Sequence, residues 1–84
     1  MLPMLLAMIE NDADRALLAE IYEQYHERME QAALRILKDT HDAEDAVQNA
    51  FLKIIRNFEK FLELPCKKKP FWCVCIVKNE AITL

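Results

Sequence analysis

Glycine is absent from this 84-residue chain, and proline occurs only at positions 3, 65 and 70. Tight β-hairpins need positive φ, which glycine supplies at least cost, so a β-sheet protein of this size is disfavoured. Helices joined by short links need far less of it, and the expectation is all-α. The same absence removes any glycine-rich phosphate loop. No nucleophile–base pair with a defining spacing is present, so neither an enzymatic activity nor a cofactor is expected. Glu44 and Asp45 are neighbours, and adjacent residues on a helix diverge instead of forming an acid–base pair.

Cysteine is scarce and odd in number: Cys66, Cys73 and Cys75. Cys73 and Cys75 stand two apart, which on a helix points them to different sides. No second close ligand pair accompanies them, so no metal site is expected. A secretory leader is missing too. Met1–Ile9 is apolar, but it lacks a basic start, runs into Glu10, Asp12 and Asp14, and is too short to span a bilayer. These features point to free thiols in a reducing cytoplasm, with no membrane and no small-molecule substrate as partner.

Apolar residues make up 54% of the chain. That is enough for a single domain, residues 1–84, to bury one modest core. The first long helix is expected to start after Asn11 or Asp12, either of which can cap it, and to end near Lys38. Its buried face would carry Leu18, Ile21, Tyr22, Tyr25, Met29, Ala32, Ala33, Ile36 and Leu37. A second helix, capped by Thr40 or Asp42, would run to about Leu62. It stops there because Pro65 disfavours helical geometry in Leu64. A third would begin near Pro70 and reach about Leu84. Its FWCVCIV run has high β-propensity, but no other segment offers a partner strand. Residues 1–10 form a short apolar lead, read as core. The sum is a compact three- to four-helix bundle.

Charge is unevenly spread. Residues 1–52 carry four Lys/Arg against eleven Asp/Glu, and residues 53–84 carry seven against three. The net charge of −3 therefore hides a basic C-terminal third that can meet phosphates locally. Arg28, Arg35 and Lys38 are read as balancing the acidic first helix, and His26 and His41 are isolated.

The second helix has two faces. Ala43, Ala46, Val47, Ala50, Phe51, Ile54, Ile55, Phe58, Phe61 and Leu62 recur at three- and four-residue steps, which makes a continuous apolar stripe. The opposite face presents Asp45, Gln48, Asn49, Leu52, Arg56 and Lys60. Leu52 is apolar among polar residues, as a protein-docking face requires and a merely solvated face does not. The plainer alternative is a single exposed leucine.

The stretch Asp42-Ala43-Glu44-Asp45-Ala46-Val47-Gln48-Asn49-Ala50-Phe51 resembles the DAEDLVQEVF signature of bacterial RNA polymerase sigma factors, in particular region two of the extracytoplasmic-function group. Downstream, Trp72, Ile76 and Asn79 fall in register with that family's W-L-x-x-I-x-x-N segment. Upstream, Tyr22 to Asp39 resembles its first helix. The likeness covers roughly residues 17–84. Asn49 replaces a customary glutamate, and the Lys67-Lys68-Lys69 loop is unusually basic. No helix-turn-helix follows Leu84, so the domain reading the −35 element is expected to be absent.

The resemblance implies two tasks. Asp45, Gln48, Asn49, Leu52 and Arg56 would dock on the clamp helices, a coiled coil in the β′ subunit of core RNA polymerase. Lys53, Lys60, Lys67, Lys68, Lys69, Trp72, Lys78 and Asn79 would hold the non-template strand of the promoter −10 element. The loop from about Glu63 to Lys69 and the start of the third helix would surround a flipped base. Extruding a base costs a few kcal/mol, and stacking returns about 1–3 kcal/mol per base. An anti-sigma factor is a further partner that the resemblance allows. Each residue also has a packing alternative. Phe58, Phe61 and Phe71 sit at core spacing, Trp72 could seal the bundle, and Asn79 could serve a structural hydrogen bond. The competing function is a helical adaptor that binds polymerase or another helix and never touches DNA.

Overall fold

The computed structural model describes residues 2–83. Five helical segments follow one another: α1 (Leu2–Leu6), α2 (Asp12–Leu37), α3 (Thr40–Arg56), α4 (Phe58–Glu63) and α5 (Lys69–Thr83). No strand occurs among the described residues, and the FWCVCIV run is helical. The all-α bundle is thus built from three long helices and two short ones. No described helix is long and apolar enough to cross a membrane.

The boundaries have local causes. Asn11 caps α2, its Oδ1 accepting from the backbone N–H of Ala13 at 2.8 Å and of Asp14 at 3.3 Å. Asp12 and Asp14 then sit at the positive end of the helix dipole. Lys38 ends the helix in the left-handed region, φ 56°, with its N–H donating to Leu34 O at 2.8 Å. The cap of α3 is Asp39, whose Oδ1 accepts from the Asp42 N–H at 3.0 Å. Thr40 and Asp42, expected as caps, lie inside the helix, because the left-handed residue reverses the chain within two residues.

The expected continuous helix to Leu62 is broken at Asn57, φ −118° and ψ 36°. Its side-chain Nδ2 donates to Lys53 O at 3.2 Å and competes with the backbone ladder. The chain restarts as α4, and Leu64 becomes extended ahead of Pro65. Pro70 occupies the first turn of α5, where a missing N–H is harmless.

The core lies between α2, α3 and α5, with one residue each from the short helices. Leu18, Met29 and Ala33 face Ala46, Ala50, Phe51 and Ile54, with Cys73 and Val77 closing the third side. Leu5 and Phe61 are fully buried and anchor α1 and α4, with Leu6, Phe58 and Leu62 packing partly against the core beside them. Burying a side chain of this size is worth about 1.5–3 kcal/mol. The lead segment packs as core through Leu5, whereas Met4 and Met8 are exposed, and Met1 lies outside the described residues.

Two residues expected in the core are outside it. Ile36 is 40% exposed, at the flank of the α2 stripe and near the end of a helix longer than its neighbours. Phe71 is 71% exposed. On α5 the buried line is Cys73, Val77, Ala81, and a residue two positions before Cys73 stands about 200° around the helix from it.

Candidate functional site

At about 100° per residue, Asp45, Gln48, Asn49, Leu52 and Arg56 fall within an arc of about 100° on α3, opposite the buried stripe. Asp45 and Arg56 are exposed, while Gln48, Asn49 and Leu52 are half-buried. Leu52 is no isolated island, since it packs against the edge of the core cluster. Gln48 Nε2 lies 3.8 Å from Met4 Sδ, so α1 leans on one flank of the arc.

A second group of residues surrounds the start of α5. Lys67 and Lys68 are exposed, and Lys69 places its Nζ 6.0 Å from the centre of the Phe61 ring. Trp72 is half-buried, its ring 5.3 Å from that of Phe61 and tilted by 39°. Buried Phe61 therefore braces both the lysine that opens α5 and the tryptophan. Trp72 takes part in packing and still presents an edge to solvent. Of the aromatics read as core, Phe61 is buried, Phe58 half-buried and Phe71 outside.

Arg56 and Lys60 line one cleft of about 410 Å³ at the α3–α4 break, with Asn57 and Phe58 and the acidic Asp14 and Glu59. The bend at Asn57 thus brings the end of the α3 arc beside a cation of the C-terminal group. Lys53 is engaged elsewhere: its Nζ pairs with Glu80 at 2.5 Å and ties α3 to α5. Asn79 is exposed, and no hydrogen bond from its side-chain amide is found among the described residues. A buried structural role does not account for it.

Lys78 lies apart from the loop. It lines a cleft of about 210 Å³ between α2 and α5 with Arg28, Gln31, Ala32, Arg35 and Val74. The two ion pairs among the described residues, Arg15–Asp12 and Lys53–Glu80, involve neither Arg28 nor Arg35. Among the described residues neither arginine forms a direct ion pair with an α2 carboxylate, so any balance they give the acidic helix acts at longer range. Their seven-residue spacing, with Gln31 between them, was the available sign that they share a face.

His26 is accounted for by packing. Its ring stacks on Tyr22 at 4.5 Å, and its Nδ1 lies 2.6 Å from Tyr22 O. Burial raises the Tyr22 hydroxyl above its ordinary 10.0, with Glu30 and Glu44 adding to the effect. Burial also raises Tyr25, with Cys73 and Cys66 in the same direction and Arg28 opposing. The three thiols are free: Cys66 exposed, Cys75 half-buried and Cys73 buried. Burial pushes the Cys73 thiol up to about 12. Among the described residues, no three His, Cys, Asp or Glu side chains converge to hold a metal ion.

Residues 21–84 match the protein family described as Sigma-70 region 2. No curated protein and no solved structure shows significant similarity to the chain.

Proposed function

The chain belongs to the Sigma-70 region 2 family and so serves promoter recognition in transcription initiation, and from this premise we propose a division of that work between two surfaces. The outer arc of α3 docks on the clamp helices of core RNA polymerase. Asp45 and Arg56 supply fixed charges at either end, and Leu52 supplies the apolar contact between them. The Leu64–Lys69 loop and the start of α5 hold the non-template strand of the −10 element. There Lys67, Lys68 and Lys69 meet phosphates, and Trp72, braced by Phe61, borders the space for an unstacked base. Asn79 contributes a free amide further along α5. The pattern suits the extracytoplasmic-function group.

The observation that carries this reading is the adjacency at the α3–α4 break. Arg56 of the docking arc and Lys60 of the basic group line the same cleft. A polymerase-bound α3 would therefore hold the strand-binding segment at a fixed distance from the enzyme. Three adjacent lysines, two on the exposed loop and one at the start of α5, beside an aromatic pair also favour a nucleic-acid face over an adaptor.

The test titrates the domain with short single-stranded oligonucleotides of −10-like sequence, at two salt concentrations, with clamp helices present. Replacing Lys67, Lys68 and Lys69 with Ala is expected to weaken DNA binding. It should also reduce the salt slope by up to about 2, at about 0.7 per phosphate contact, and leave clamp binding intact. Unchanged DNA binding in this variant would remove the loop from the strand path. Negligible DNA binding by the unaltered domain would favour the adaptor.

A further inference from the structure

The α2–α5 cleft gathers three cations, Arg28, Arg35 and Lys78, around a floor of buried Ala32 and half-buried Val74. Gln31 adds an amide, and no carboxylate lines the cleft. Like charges collected at a partly apolar surface repel one another unless an anion sits among them. Arg28 and Arg35 are two turns apart on one face of α2, a rise of about 10 Å, and Lys78 reaches in from the other helix. That span exceeds one phosphate group and suits successive groups along a chain. Guanidinium forks match phosphate oxygens in pairs.

The identity of the chain follows from what stands next to the cleft. Phe71, Val74 and Lys78 lie at i, i+3 and i+7, on one side of α5. Phe71 is 71% exposed, and it stands two residues after Lys69. A flat ring between two groups of cations is a stacking platform for a base, which an acidic polypeptide would not use. We propose that the α2–α5 cleft is a second phosphate-binding site for the single-stranded DNA held at the loop, with a base stacked on Phe71 between them. Only the continuity with the loop rests on the preceding reading. The cleft makes its own prediction.

Binding of a twelve-nucleotide oligodeoxythymidylate to the whole domain separates the two. Replacing Arg28 and Arg35 with Ala is expected to lower affinity roughly tenfold at about 50 mM salt and to reduce the salt slope by about 1.4. Arg28→Lys with Arg35→Lys should restore most of the slope, since the charge returns. Phe71→Ala should cost about fivefold or more with the slope unchanged. A four-nucleotide oligomer that spans only the loop should not sense Arg28 and Arg35. Circular dichroism confirms the helical content of each variant. An unaltered slope in the folded double-alanine variant overturns the proposal, whereas failure of the loop-lysine variant alone overturns only the reading of the loop. An oligoglutamate of equal charge that binds as tightly, with the same sensitivity to Arg28 and Arg35, assigns the cleft to an acidic protein segment and also overturns it.

Discussion

Cys73 and Cys66 are seven residues apart and chemically opposite in setting. Cys66 is exposed, whereas Cys73 is buried in the core with its thiol pushed up from 9.0 to about 12. Below pH 9 the thiol is protonated in both folded and unfolded chains, and its contribution to stability is complete. Above pH 9 the unfolded thiol loses its proton while the folded one keeps it, so stability falls as pH rises from about 9 toward 12. Tyr22 and Tyr25, both raised above 10.0 chiefly by burial, act in the same direction. Urea unfolding at stepped pH values should therefore show the native chain losing more stability above pH 9 than Cys73→Ala does. Parallel curves would show that Cys73 is not shielded as its burial indicates. The opposite settings of Cys73 and Phe71 also mark what residue spacing can convey. That Cys73 and Cys75 diverge is plain from a helix at about 100° per residue. Which side of α5 faces the core is not, because FWCVCIV is apolar all round and offers no polar face to orient it.

At the scale of elements, the chain marks its helix ends unevenly. Asn11 and the Leu64-Pro65 pair announce their breaks through side-chain capping and ring sterics, which act locally and can be read from the sequence. The Lys38-Asp39 link is harder, because any of several residues near it can cap, and the left-handed Lys38 selects Asp39. The stop at Asn57 is harder still: the apolar period continues unbroken through Phe58 and Phe61, and the break shows only in the Asn57 backbone angles and its side-chain bond to Lys53 O. The α3 arc was legible because it lies within one helix. The α2–α5 cleft was not, because Arg28 and Lys78 meet only through tertiary packing. The link offers a paired test. Asp39→Ala removes the cap of α3 and should cost about 1 kcal/mol. Lys38→Gly relieves the left-handed strain and should stabilise by up to about 1 kcal/mol, less the backbone entropy that glycine adds to the unfolded state. Thermal unfolding midpoints should move down and up respectively. A fall in both would mean that the Lys38 side chain contributes more than its backbone geometry costs.

Across the whole molecule, acidic charge gathers toward α2 and the start of α3, and basic charge toward the end of α3, the loop before α5 and α5 itself. Such a charge asymmetry would orient the domain on a polyanion, and within the basic part the Lys53–Glu80 bridge links the end of α3 to α5. It joins the helix that carries the proposed docking arc to the helix that carries Trp72 and Lys78. Glu80 is only 13% exposed and Lys53 51%, so the carboxylate is held near the packed surface while the ammonium stays in reach of solvent. An approaching phosphate must compete with Glu80 for Lys53. Replacing Glu80 with Gln keeps the side chain's shape and removes that competitor. A partly exposed ion pair is worth about 0–1 kcal/mol, so the fold should tolerate the change. Affinity for single-stranded DNA should rise, and the salt slope should steepen by about 0.7 as one further cation becomes available. Circular dichroism and oligonucleotide titration at two salt concentrations measure both. A steeper slope with unchanged helicity places Lys53 on the strand path and makes the bridge a brake on DNA binding. An unchanged slope leaves Lys53 as a purely structural tie between α3 and α5 and removes it from the proposed strand path.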